Sequence, residues 1–546
     1  MTSSPRLYHT LSTPVPGDPL TVAVRLAMRA ADTPHVLYER HGTWSVAVGA
    51  AAELTVTPAE VRLSAPGGER TAPWEGHPGP VVRELLSGLP FENWRAYGTA
   101  AFELACAGTP SLAELPCDQV LLRLIVPAVE TRITDGTAVI RALDPEAAER
   151  TAAALDPTAI EVGRTVPVDL AGEDSELYLK AVSSAAQEIR EGRDGSPRKV
   201  ILSRSVPVRE PVDIARTYLL GRSRNTPARS FLLGLDGLRA AGFSPEIVLA
   251  VDPGGRVRTQ PLAGTRALTG EAGEDDRLRR ELLADPKEFY EHAVTVRTSF
   301  GELADICVPG SVAVHDYMSV KPRGTAQHLA SELAGTLAPG RDGWDALASL
   351  FPAVTVSGVP KSAANVCIRR LERDPRGLYG GAVLTVDQDG SFDVALVLRS
   401  VYQRGERTWL RAGAGIVGQS LPEREFTETC EKLRSVSLSV VAAQAPGADA
   451  PAPDRADRAD RDTGLSVERM RADIAEALRC PVELVDDERS LIAQGLDSVG
   501  LMTVASKWSA FGVRLKVADL ALEPTLAAWG ELVRAQRDGG APRSAV

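Results

Sequence analysis

The chain has 546 residues, 24% charged and 44% hydrophobic, with a formal net charge of -11. Those proportions describe an ordinary folded protein with room for a large core and at least one further unit. The acidic balance excludes non-specific nucleic-acid binding, which needs basic surface to displace counterions; a local cluster of Arg and Lys can still hold an anionic small molecule.

The N-terminal MTSSPRLYHTLSTPVPGDPL lacks the basic-then-apolar pattern of a secretory signal. No stretch approaches the roughly 18 uninterrupted apolar residues of a membrane helix. A cytoplasmic protein without membrane contact is expected, its residues 1–19 mobile. Apolar runs at 120–129 (VLLRLIVPAV), 199–208 (KVILSRSVPV), 312–320 (VAVHDYMSV) and 392–404 (FDVALVLRSVYQR) predict strands. Between them, 177–192, 287–304 and 423–441 carry helical periodicity. Strands in groups with intervening helices predict an α+β fold with antiparallel sheets over residues 1–441. Residues 442–464, AAQAPGADAPAPDRADRADRDTG, hold no large apolar side chain and predict a flexible linker. Residues 465–538 predict a small helical bundle, and 539–546 a mobile tail. The six cysteines, Cys106, Cys117, Cys307, Cys367, Cys430 and Cys480, have no paired spacing and read as reduced thiols.

In the helical tail, GLDSVGLM places Asp497 as a helix cap with Ser498 at the helix N-terminus, beside the positive end of the dipole. Alone, Asp-Ser before a helix is ordinarily a cap and nothing more. The tail has no histidine, so a serine-hydrolase constellation fails on its chemistry. With DDERSLIAQ before it and VADLALEPTLAAW after it, the segment resembles four-helix thiolation domains, especially the aryl carrier proteins of siderophore assembly lines. That resemblance implies 4'-phosphopantetheine on Ser498, a phosphopantetheinyl transferase as partner, and a separate aryl-adenylating enzyme with downstream assembly-line domains.

In the large unit, Glu288 and Glu291 lie three residues apart on one helix and share a face; Glu425 and Glu428 repeat the spacing, with Lys432 one turn on. Such pairs are common on solvated faces. Two of these faces brought together would repel unless a hard cation, Mg2+ foremost, took the oxygens as ligands.

RKVILSR, GFSPEIV, TQPLAGTRALTG, DPKEFYEH, QHLASELAG, TVSGVPK, PRGLYGGAV, ALVLRSVY, WLRAGAGIV and EREFTETCEKL follow in one order. The set resembles the chorismate-utilising enzymes of menaquinone, siderophore and tryptophan biosynthesis. The resemblance implies a two-sheet αββα sandwich and chorismate as substrate. Mg2+ on Glu291 and Glu428, with Glu288 and Glu425 close by, would hold the ring carboxylate. Arg399 and Tyr379 would hold the enolpyruvyl carboxylate, assisted by Lys432, the backbone near Gly413, and Thr265 with Gly264. His328 would line the pocket. Glu246 would protonate the leaving C4 hydroxyl and Lys199 would deprotonate water. Ammonia-using relatives carry a Gln-type residue at the position of Lys199, so the resemblance points to the water-using branch and to isochorismate as first product.

Within that branch, TVSGVPKSAANV, PRGLYGGAV, RTWLRAGAGIV and EREFTETCEKL are most similar to salicylate synthases, which carry isochorismate on to salicylate and pyruvate. Isochorismate synthases more often have Gly-Gly where this chain has Ser357-Gly358. The expected activity is therefore salicylate synthesis beside an aryl carrier; an isochorismate synthase and an inactive scaffold for the carrier are the alternatives.

Overall fold

The computed structural model describes residues 7–443, apart from 173–174, 269–270 and 324–325, together with parts of 467–537. Its internal contacts divide the chain into Met1–Ala445 and Pro446–Val546.

The first unit is built on two sheets. An 11-stranded sheet runs from the edge strand His9–Pro14 to Gly358–Val359; a 12-stranded sheet runs from Leu262–Ala267 to Gly68–Ala72, with Ala313–Arg323 paired beside Ala326–Thr336. Every strand pairing among the described residues is antiparallel. Val36, Phe231 and Leu233 from one sheet meet Tyr97, Val383 and Ala395 from the other in a dry core. Helix Pro19–Arg29 closes the outer face of the first sheet, and helices Gly79–Ser87 and Gly343–Leu350 that of the second. Inner strands such as Phe392–Leu396 are thus buried on both faces, which is why they read as unbroken apolar runs.

Two expectations need correction. The start of the chain is not mobile as far as it is described: His9–Pro14 is a strand paired with Thr137–Ala142. The runs at 120–129 and 392–404 are not single strands either. The first breaks at Pro127 into Leu122–Val126 and Val129–Thr134, because proline has no N–H to give a central ladder. The second breaks into Phe392–Leu396 and Ser400–Arg404, with Arg399 between them at φ 51°.

In each case the halves belong to different sheets. The chain makes a third crossing of this kind at Pro245, between Leu238–Ser244 and Ile247–Val251. The crossings at Pro245 and Arg399 run side by side. Gly242 pairs with Ser400 on one sheet and Ile247 with Ala395 on the other. Across the gap, Leu396 N–H donates to the Glu246 carbonyl at 3.2 Å and Phe243 N–H to the Arg399 carbonyl at 3.2 Å. Glu246 and Arg399 thus sit at adjacent points where the backbone leaves one sheet for the other.

The second unit, among its described residues, has helices Val467–Leu478 and Leu526–Arg537 around a core that includes Met470, Ile474, Leu491 and Val504. Trp508 and Trp529 meet edge to face at 5.7 Å. The Trp508 indole N–H donates to Asp473 at 3.1 Å, so the buried ring leaves no polar atom unpaired. Ser498 lies outside the described residues, as do its neighbours Asp497 and Val499. No helix among the described residues is long and apolar enough to cross a membrane.

Candidate active site

Strand Lys199–Val208 begins with Lys199, which is only 6% exposed. Its ammonium lies 2.8 Å from a Glu291 oxygen. Gly415, on the neighbouring strand Arg407–Ile416, leaves room for both groups: a Cβ there would lie 3.3 Å from the Glu291 oxygen and 3.3 Å from Lys199 Cε.

Glu246 is 3% exposed and, among the described residues, pairs with no basic side chain. Thr355 Oγ1 donates to its Oε1 at 2.7 Å. Burial raises its pKa to about 8, because one hydroxyl, a backbone contact at Leu262 and the field of Lys199 do not replace the water a carboxylate needs. Glu246 is therefore an acid that carries its proton at neutral pH.

Arg399 is half-buried, and desolvation, aided by the nearby charge of Arg323, lowers its pKa to about 10. Its guanidinium donates to His328 Nε2 at 2.6 Å. Since arginine can only donate, Nε2 must be the bare nitrogen, and Nδ1–H then donates to Thr265 Oγ1 at 2.9 Å. Burial and Arg399 both push the His328 pKa well down, which keeps the ring in that neutral tautomer. Tyr379 is buried close by; a Cβ on Gly413 would stand 3.0 Å from its hydroxyl, so residue 413 must be small. Thr265 and His328 are directly paired across adjacent strands, and a Cβ on Gly264 would meet a Glu288 oxygen at 3.1 Å.

The glutamates lie on helices Pro286–Ala304 and Pro422–Ser437. They are held by basic side chains: Lys287 reaches Glu291 at 3.8 Å and Glu425 at 3.6 Å, Arg266 reaches Glu288 at 3.4 Å, and Lys432 pairs with Glu428 at 2.7 Å while donating to the Gly413 carbonyl at 2.9 Å. Burial raises the Glu288 pKa, and Glu291 and Glu428 raise it further. Burial also raises the Glu425 pKa, and its Oε2 is enclosed without a hydrogen-bond partner. For Glu428, burial acts upward but Lys432 brings the net shift downward. Among the described residues no three His, Cys, Asp or Glu side chains already form a metal cage. The donor set nonetheless fits Mg2+. It offers hard carboxylate oxygens from two facing helices, mutually strained by charge, one with an orphaned buried oxygen.

The structure thus gathers Lys199, Glu246, Gly264, Thr265, Glu288, Glu291, His328, Tyr379, Arg399, Gly413, Glu425, Glu428 and Lys432 in one region. Sequence reasoning missed three neighbours. Lys287 stands four residues before Glu291, a spacing that offers the charge compensation directly. Thr355 opens the motif TVSGVPK, but nothing in a sequence aims its hydroxyl at Glu246. Arg323 ends the strand beside His328 and acts on Arg399 through its charge.

The family model described as chorismate binding enzyme matches residues 32–437, and that described as phosphopantetheine attachment site matches residues 468–533. The chain belongs to the chorismate-binding enzyme family and carries a C-terminal phosphopantetheine-attachment domain. It is 42% identical over 441 residues to a salicylate synthase of Mycolicibacterium paratuberculosis, covering 79% of this chain and 96% of the relative. It is also 42% identical over 272 residues to component 1 of the Streptomyces coelicolor anthranilate synthase, covering 49% of this chain and 52% of that one. Among solved structures, the menaquinone-specific isochorismate synthase of Escherichia coli shares the fold with a TM-score of 0.62 at 22% identity, over 80% of this chain and 96% of that one.

Proposed function

We propose that the large unit is a salicylate synthase: it adds water to chorismate with loss of the C4 hydroxyl, then expels pyruvate from the resulting isochorismate to leave salicylate. The observation that carries this reading is the pair of buried groups Glu246 and Lys199, an acid with its proton and a lysine within its field. Glu246 gives its proton to the departing hydroxyl. Lys199 takes one from the incoming water, once it has shed the proton held toward Glu291. The similarity to a salicylate synthase over 79% of this chain supports the same reading.

Arg399 holds the enolpyruvyl carboxylate. It is half-buried, with a neutral imidazole accepting from it, so a substrate carboxylate adds a charged, bidentate acceptor to a weak one. Tyr379 would assist it. His328, fixed in one tautomer by Thr265, positions the guanidinium. Glu291 and Glu428, with Glu288 and Glu425 near them, would hold Mg2+, which supplies a positive counter-charge for the ring carboxylate. In the second stage a ring hydrogen passes to the enolpyruvyl methylene as the ether C–O bond breaks. That transfer needs the intermediate held in shape and no further acid or base.

The tail carries the arm that such an aryl acid is loaded onto. Its match to phosphopantetheine-attachment domains supports Ser498 as the attachment point, modified by a phosphopantetheinyl transferase and charged by a separate adenylating enzyme. The domains would run 1–441 and 465–538, joined by 442–464.

Purified protein incubated with chorismate and Mg2+ should yield salicylate and pyruvate in equal amounts by chromatography. Accumulated isochorismate alone would refute the second stage, and no turnover by folded protein would refute both. Intact-mass analysis after transferase treatment should show one phosphopantetheine, absent in Ser498→Ala.

A further inference from the structure

A second cleft lies in the large unit, apart from the residues above. A cavity of about 290 Å3 opens between the sheets where two hairpins turn, one at Leu235 to Leu238 and the other at Arg404 to Arg407. One wall is flat and apolar: Tyr402 and Trp409 stack at 5.5 Å, with Leu233 and Leu238 beside them. The lining is cationic on balance, with five arginines against Asp236, which is paired with Arg123, and Asp374. Arg407 lies over the Trp409 ring at 5.1 Å and reaches Asp374 only at 3.7 Å. Arg404, across the same hairpin, has no acidic partner among the described residues.

The back of the cleft touches the active site through two arginines. Arg376 and Arg411 line it, each fixed by Glu372 at 2.6 Å. Their guanidinium groups lie 5.7 Å and 5.6 Å from the centre of the Tyr379 ring. Arg411 is two residues from Gly413 on a single strand, and Tyr379 is two residues beyond the cleft-lining Gly377. Arg376 and Arg411 thus touch both the cleft and the tyrosine assigned to the enolpyruvyl carboxylate.

A planar apolar wall edged by an uncompensated guanidinium is the complement of a small aromatic carboxylate. We propose that this cleft binds an aryl carboxylic acid, the class to which the reaction's product belongs, and that occupancy is relayed through Arg376 and Arg411 to Tyr379 as product feedback. The feedback rests on the salicylate synthase reading; the binding does not.

The test uses the full chain, with salicylate as probe. Equilibrium dialysis should give two equivalents bound per wild-type chain, one in Arg404→Glu/Arg407→Glu, and one in Arg399→Asn. Both arginines of the hairpin are exposed and remote from the chemistry, so the double variant should keep its kcat and KM for chorismate. Salicylate should inhibit the wild type in a mixed fashion and the double variant competitively. A single equivalent that vanishes in Arg399→Asn and survives the double variant would overturn the proposal, as would the absence of any binding. Should turnover stop at isochorismate, the activity reading fails, while two-equivalent binding governed by Arg404 and Arg407 would still stand.

Discussion

Arg229, buried, and Arg399, half-buried, both sit where the two sheets meet, and each has a carboxyl group nearby in the fold, yet the charges are handled in opposite ways. Arg229, 1% exposed, grips Asp393 with two hydrogen bonds of 2.6 Å, and Tyr38 donates to the same carboxylate at 2.5 Å. Arg229 comes from the 11-stranded sheet and Asp393 from the 12-stranded one, so the pair ties the layers together. Burial works against both charges, but each outweighs it for the other: the arginine pKa rises and the aspartate pKa falls. At the active site the shifts are reversed. Arg399 is lowered to about 10 and Glu246 raised to about 8 by desolvation, since neither has an opposite charge in contact among the described residues. A fold that satisfies a buried ion pair in one place and leaves an arginine and a carboxyl uncompensated in another has assigned the first to stability and the second to a ligand.

The sharpest way to break the comparison is Glu246→Gln. The amide keeps the Thr355 contact but has no proton to give, and turnover of chorismate should fall about 10³-fold or more. Wild-type activity should decline as pH rises through about 8, where the acid is lost. Stability supplies an independent reading. Because the folded-state pKa is raised, wild-type stability is full below the unfolded value near 4.5 and falls as pH rises toward about 8. Glu246→Gln escapes that loss, so its melting temperature should exceed the wild type's at pH 9 and match it near pH 5. Retained activity would end the role of Glu246 as the acid.

Next in size is Arg399→Asn. Asparagine tolerates the left-handed backbone at φ 51°, so the variant should fold. Its kcat/KM should drop about 10²- to 10³-fold, the cost of leaving a substrate carboxylate without its charged partner. The melting temperature should hold or rise slightly, since a half-buried cation without a carboxylate in contact among the described residues is removed. Asp393→Asn reverses the pattern. It strands Arg229 as an unpaired buried charge and should cost about 3 kcal/mol or more in denaturant unfolding, while kcat/KM per folded molecule stays within about twofold. A large kinetic defect in Asp393→Asn, or a large stability defect in Arg399→Asn, would dissolve the distinction between the two regions.

Much of this was legible in the sequence, and the rest was hidden for identifiable reasons. The helices around Glu288 and Glu425 announce themselves by periodicity, and the active-site side chains stand in motifs of recognisable order. The sheet crossings did not show. A run such as FDVALVLRSVYQR is apolar throughout because both sheets are covered on both faces, so alternation gives no hint that Arg399 separates two strands. Nor did charge pairing show: Arg229 and Asp393 are 164 residues apart, and only the packing of the layers makes them partners. The lysines that accompany the glutamate cluster were legible only in part: the spacing shows Lys432 beside Glu428, but only the fold brings Lys199 to Glu291 and Lys287 to Glu425.

The smallest expected effect tests whether His328 acts through its tautomer. With Nε2 accepting from Arg399, Nδ1 must carry the hydrogen, and Thr265 Oγ1 receives it at 2.9 Å. Thr265→Val keeps the branched shape and removes the acceptor. The ring then loses the contact that fixes its orientation, and Arg399 loses a rigid partner. One hydrogen bond of this kind is worth about 1 kcal/mol, so kcat/KM should fall roughly fivefold to tenfold, with most of the change in KM if Arg399 serves chiefly to hold the enolpyruvyl carboxylate. Thr265→Ser restores the hydroxyl and should recover nearly all of it. If serine fails where valine fails, the methyl group and not the hydroxyl is what the site needs, and His328 is held by packing alone.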